Sequence, residues 1–149
     1  MITFGRLVVI VAAGAICGCT TTLDSKDAFD VRLTAGPQNA GQIGEASFAA
    51  QGDATNIVLT LSGVPSQVTR PVHLYIYIHA GTCGNLGPKP AYSLNEIVLA
   101  RTTSPSGAGF TLDKLAPVPL PRLRAGGYAI VVRTQAPDLD QEMFCGNIR

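Results

Sequence analysis

The feature that most constrains the fold is the run Val72-His73-Leu74-Tyr75-Ile76-Tyr77-Ile78-His79, in which apolar and amphipathic residues alternate without a break. Successive side chains of a strand point to opposite faces. Val72, Leu74, Ile76 and Ile78 therefore form one apolar face, and His73, Tyr75, Tyr77 and His79 the other. The same two-residue period recurs elsewhere, while no convincing 3.6-residue period follows the N-terminal apolar run. Asn56 to Leu61 sets Ile57, Leu59 and Leu61 on one side, and Tyr128 to Arg133 offers Tyr128, Ile130 and Val132 against Ala129, Val131 and Arg133. Weaker alternation marks Phe29 to Ala35, Gly44 to Ala50, Asn95 to Arg101, Ala108 to Leu112 and Glu142 to Phe144. About eight short strands at roughly ten-residue spacing predict an all-β Greek-key β-sandwich or flattened barrel over residues 27–149. Turns are expected at Gly36-Pro37, Gly52-Asp53, Gly63 to Pro65, Gly87 to Pro90, Pro105 to Gly107 and Gly126-Gly127. Ala116 to Arg124 holds Pro117, Pro119 and Pro121, so it is expected to be an extended surface connection rather than a central strand.

Upstream of that domain, Arg6 precedes the apolar run Leu7 to Ile16, which has the length of a signal-peptide core and is too short to span a bilayer. It leads into Ile16-Cys17-Gly18-Cys19, which resembles the lipobox of bacterial lipoproteins: an aliphatic residue, a small residue before the cut, then the cysteine that is acylated. Cys19 fits that role, whereas Cys17 would follow the bulky Ile16. The resemblance implies a signal peptide over 1–18, a lipid-bearing tether over 19–26 and a membrane partner through the lipid. Ordinary secretion with cleavage nearby is the alternative, and both routes export the chain. By analogy with the sorting rule of Gram-negative lipoproteins, Thr20 after the cysteine implies, in such a host, an outer-membrane protein facing the periplasm.

The chain holds four cysteines. With Cys17 removed and Cys19 carrying lipid, Cys83 and Cys145 remain as an even pair in an oxidising compartment, the alternative being two free thiols. A bond between them would close a loop of about 60 residues, worth roughly 4 kcal/mol by chain entropy. Eleven basic residues face ten acidic ones, and removing Arg6 balances them. Such a surface has no excess charge for a phosphate backbone, so nucleic acid is not an expected partner.

Three segments carry a resemblance: the strand ending in His79 with Ala80-Gly81-Thr82-Cys83-Gly84-Asn85-Leu86-Gly87-Pro88, then Ala125-Gly126-Gly127-Tyr128 to Val132, then Cys145-Gly146-Asn147-Ile148. They resemble the copper/zinc superoxide dismutase-like β-sandwich superfamily. There a His-x-His strand leads into a loop whose cysteine is bonded to a second cysteine in a Cys-Gly context near the C-terminus. Carried over residue by residue, the second histidine falls on His79, but the first falls on Tyr77. The bridging and zinc-binding histidines have no counterparts, because no histidine follows His79, and Gln141 to Phe144 lacks the family's arginine. A redox copper centre needs several imidazoles in fixed geometry. The resemblance therefore implies the fold, the disulfide and the compartment, and not dismutase activity.

Other chemistry has little to stand on. The chain has no Gly-x-Ser-x-Gly elbow, no His-Glu-x-x-His and no glycine-rich phosphate loop. His73 and His79 share a strand face but lie roughly 20 Å apart along it, too far for one ion. His73 is expected to be solvated at the strand start. A site around His79 and Tyr77 would have to recruit Asp138, Asp140 or Met143 from elsewhere. Tyr75 and Tyr77 read either as strand formers or as a partner surface. Gly84 and Gly146 are expected to supply positive φ beside the cysteines, and Arg122, Arg124 and Arg133 to form a small cationic patch. Two functions follow: a non-catalytic, lipid-anchored sandwich that binds an envelope protein or small ligand or serves structurally, needing no cofactor, or a periplasmic copper-handling protein with a remnant site at His79.

Overall fold

A computed structural model describes residues 27–95, 101–102 and 109–149. The expected signal peptide over 1–18, Cys19 and the expected tether over 19–26, most of the strand expected over Asn95 to Arg101 and the turn expected at Pro105 to Gly107 lie outside the described residues. Among them are nine strands: β1 (Ala28–Ala35), β2 (Gly44–Gln51), β3 (Ala54–Leu61), β4 (Leu74–Thr82), β5 (Asn85–Ser93), the two-residue β6 (Arg101–Thr102), β7 (Phe110–Ala116), β8 (Tyr128–Thr134) and β9 (Glu142–Ile148). One short helix, α1 (Leu120–Arg124), joins β7 to β8. Every pairing is antiparallel, in the order β5-β4-β8-β9-β1-β2-β3-β7-β6. The all-β sandwich or barrel expected from the alternation is what forms.

The sheet curls because β1 belongs to both of its walls. Residues Ala28 to Leu33 pair with β2, whereas Thr34 and Ala35 pair with β9. One wall is thus β1-β2-β3-β7-β6 and the other β5-β4-β8-β9, with their inner faces turned to a shared core. Alternation selects the inward set: Val31 and Leu33 from β1, Ala46 and Phe48 from β2, Ile57, Leu59 and Leu61 from β3, and Leu74, Ile76 and Ile78 from β4 are buried. Phe48, Phe110 and Phe144 are among the largest fully buried side chains, each contributing about 1.5–3 kcal/mol by leaving water.

Three local expectations change. Gly87 to Pro90 is not a turn but lies inside β5. That strand is at the edge of the sheet, where prolines at 88 and 90 forfeit no ladder bond on the open side. The Pro-rich connection is not extended throughout: Ala116 closes β7, and residues 120–124 form a helical turn with Pro at its start, the position where a missing N–H costs nothing. Leu120 and Leu123 are buried by this turn and close that end of the barrel. The last strand runs past Phe144 through Cys145, Gly146 and Asn147 to Ile148.

Gly146 is required for space and not for φ. A Cβ there would stand 2.6 Å from Leu33 Cδ2 and 2.7 Å from Val31 Cγ1. The left-handed glycine beside the cysteines is Gly81, at φ 102°, rather than Gly84.

Candidate functional site

The outer face of the second wall gathers the residues singled out above. On β4, Tyr75, Tyr77 and His79 stand opposite Arg133, Val131 and Ala129 of β8. Cys145 and Asn147 of β9 pair with Val131 and Ala129 in turn. The tip of the β4–β5 hairpin folds back over this face. Register irregularities between Ile78 and Gly81 loosen the ladder at the bend, and the Gly81 N–H donates to the Gly127 carbonyl at 2.9 Å. A side chain at Gly81 would collide with the Asn85 carbonyl, so bend and glycine belong together.

Cys83 and Cys145 form a disulfide with Cα atoms 5.8 Å apart. The Cys83 N–H donates to Asn147 Oδ1 at 2.8 Å, a second tie across the same contact. Beneath the hairpin, Cys83 and Leu86 pack on a small apolar cluster of Ala129, Val131 and Cys145, separate from the main core. His79 is half-buried at the margin of this cover. Its Nδ1 lies 3.0 Å from the Gly87 carbonyl oxygen; a carbonyl only accepts, so Nδ1 donates this bond. The Tyr77 ring meets the imidazole edge-on, with centroids 6.1 Å apart.

The side chains that a site at His79 would have to recruit are held elsewhere. Leu74 pairs with Thr134 and His79 with Ala129, so the loop after β8 lies at the opposite end of β4. In that loop Asp138 accepts the Thr69 hydroxyl at 2.6 Å and the Thr69 N–H at 3.2 Å. The hydroxyl bond foremost holds the Asp138 carboxyl below the ordinary carboxylate range. Asp140 pairs with Arg133 at 2.9 Å, and Met143 is fully buried in the core on the inner side. His73 is half-buried rather than solvated, with Nδ1 3.3 Å from Gln135 Oε1. Among the described residues no group of three or more His, Cys, Asp or Glu is placed to hold a metal ion.

The expected patch of three arginines divides between the two ends of the barrel. Arg133 stays with Asp140, while Arg122 and Arg124 project from α1 at the other end. Arg122 hydrogen-bonds Tyr128, which holds its guanidinium pKa above the ordinary value. Arg124 lies over the Phe29 ring, 5.1 Å from its centroid, and donates from Nη2 to the Ala28 carbonyl at 2.7 Å. Between this turn, the hairpin tip and the last strand is an open depression of about 420 Å³, lined in part by Arg124, Gly126, Gly127, Asn147 and Arg149. A larger one of about 620 Å³, lined in part by Asn56, Ser93, Asp113 and Lys114, includes none of the candidate site residues named from the sequence. The smaller depression was not legible in the sequence. Its signal, Arg-x-Arg-x-Gly-Gly over 122–127, has meaning only once α1 is known to be helical.

Fold and site together define a disulfide-stapled, all-β sandwich whose hairpin covers part of its own outer face. The chain matches no family model, no curated protein and no solved structure.

Proposed function

We propose that this chain is an exported, lipid-anchored, non-catalytic module of the cell envelope, built on a superoxide dismutase-like β-sandwich and acting by binding or as a structural element. The observation that carries the reading is the Cys83–Cys145 disulfide between the β4–β5 hairpin and β9. A structural disulfide of this kind persists in oxidising compartments and is rare in the cytosol. Export agrees with the apolar leader, and acylation agrees with Cys19 following Ile16-Cys17-Gly18. The order of the His79 strand, the loop cysteine and the Cys-Gly strand supports the superfamily reading. Against catalysis by metal stand the total of two histidines, on one strand, and the burial or pairing of Met143 and Asp140 away from His79.

Two measurements test this. Palmitate labelling of the expressed full chain is expected to depend on Cys19 and to vanish in Cys19→Ser; an unlabelled, freely soluble mature chain overturns lipid anchoring. Purified protein equilibrated with Cu(I), Cu(II) or Zn(II) and desalted is expected to retain no stoichiometric metal, with His79→Ala indistinguishable from the parent. One retained ion, lost in His79→Ala, overturns the binding or structural reading in favour of copper handling around His79 and Tyr77.

A further inference from the structure

The chain enters the barrel at Ala28, and the end it enters by differs from the opposite one. Here Leu120 and Leu123 of α1 plug the barrel, and the arginines between and after them turn outward over Tyr128 and Phe29. Arg124 is tied to the Ala28 carbonyl, so its guanidinium stands beside the point where the tether joins the domain. The depression next to it is bordered by Arg124 and Arg149 and has no acidic side chain in its lining. Gly126 and Gly127 floor it at φ 84° and 80° with open space where a Cβ would be, which leaves the backbone accessible. Asp27, Asp30 and Asp53 belong to the same end; Asp30 shares Arg149 with a neighbouring depression, and none of the three borders this one.

Only residues 20–26 separate Cys19 from the first described residue. Fully extended, the span from Cys19 to Asp27 is at most about 28 Å, so an acyl chain on Cys19 would keep this end of the barrel close to the bilayer surface. We propose that this end is the face turned to the membrane, and that Arg124 and Arg149 at the depression, with Arg122 on the adjoining helical turn, take the phosphate groups of anionic lipid headgroups. The inference rests on the lipid-anchor reading above, but its chemistry does not need the acyl chain. Guanidinium groups match phosphate oxygens in a two-point fork, and each arginine near an anionic surface strengthens binding about fivefold.

The test uses the chain from residue 19 to 149 with Cys19→Ser, which retains every described element and carries no lipid. Co-sedimentation with phosphatidylcholine vesicles is compared with vesicles that also contain phosphatidylglycerol, at low and at physiological ionic strength. Binding is expected only with the anionic lipid, weakening with salt, and falling about 25-fold in Arg122→Gln/Arg149→Gln, a double variant that leaves the Arg124 contacts with Phe29 and Ala28 intact. The variant's melting curve is measured alongside to show that it folds. Equal binding by parent and variant, or binding to neither vesicle, overturns the assignment. A melting-temperature rise with inorganic phosphate in the absence of vesicle binding also overturns it, in favour of a free anion. Because the protein tested lacks Cys19, these outcomes stand apart from the palmitate result: a failure of acylation leaves a positive vesicle result in place, and the reverse.

Discussion

Reduction of Cys83–Cys145 is the perturbation whose magnitude follows most directly from the fold. The bond joins positions 62 apart in sequence, and closing a loop of that length in the unfolded chain is worth roughly 4 kcal/mol. A domain of about 120 residues unfolds with an entropy near 2.1 cal/mol/K per residue, so that loss lowers the melting temperature by about 15 °C. Calorimetry of the oxidised protein against protein held in dithiothreitol, with both thiols shown to be alkylated, reads the shift. Amide exchange supplies the local half of the test. The apolar contact of the hairpin tip is limited to Ala129, Val131 and Cys145 among the described residues, so Gly81 to Gly87 is expected to exchange faster on reduction, while β2 and β3, paired over their whole lengths, keep their protection. An unchanged melting temperature with both thiols free would refute the loop-closure reasoning. Uniform loss of protection at the reduced protein's folding temperature would refute the view that the hairpin is a separate cover.

Two further substitutions separate causes that the structure assigns to single contacts. Gly146→Ala is expected to cost about 1–3 kcal/mol in chemical denaturation, because the new Cβ would press on the buried Leu33 and Val31 side chains and stand 3.1 Å from the Arg32 carbonyl oxygen; wild-type stability would mean that β1 yields more easily than its pairing implies. Asp138 has a folded pKa below its unfolded one, so its contribution is present above the unfolded value and is lost as pH falls through the folded value. Asp138→Asn should therefore be less stable than the parent at neutral pH and converge on it in acid, read as paired denaturation curves across that range. A stability difference that does not change with pH would remove the carboxylate's bond to Thr69 as the cause.

What was legible in the sequence is the set of segments buried on one face only. Ile57, Leu59 and Leu61, or Leu74, Ile76 and Ile78, alternate with exposed or half-buried neighbours, and that contrast is the period-two signal itself. The pairing of Cys83 with Cys145 was legible as arithmetic, conditional on Cys19. The role of β5 was hidden because Gly87, Pro88 and Pro90 carry turn propensity, and only an edge position makes them compatible with a strand. The turn of α1 was hidden for a related reason: five residues are too few to show a helical period, and prolines that forbid a helix interior are tolerated at its start. In the candidate site, the histidine was found and its partner was not. Gly87 binds His79 through its backbone carbonyl, and backbone acceptors leave no mark in side-chain chemistry.

Strands β8 and β9 show why the hairpin needs its covalent staple. Both bury consecutive residues, Ala129 to Val132 and Met143 to Gly146, because their inner face meets the core and their outer face meets the hairpin. Among the described residues the first wall has no such cover, and Arg32, Glu45, Ser47 and Thr60 on its outer side are exposed. Among the described residues of this contact only Val131 and Leu86 are sizeable aliphatic side chains; even complete burial would bring about 1.5–3 kcal/mol each, and Leu86 is half-buried. Ordering the backbone of a tip such as Gly81 to Gly87 costs about 1–2 kcal/mol per residue. Hydrogen bonds from Cys83 to Asn147 and from Gly81 to Gly127, each worth about 1 kcal/mol net, do not close that gap. The disulfide lowers the entropy of the unfolded reference by an amount comparable to the deficit. A hairpin of this composition lying on β8 and β9 is therefore a feature that oxidation of Cys83 and Cys145 makes durable.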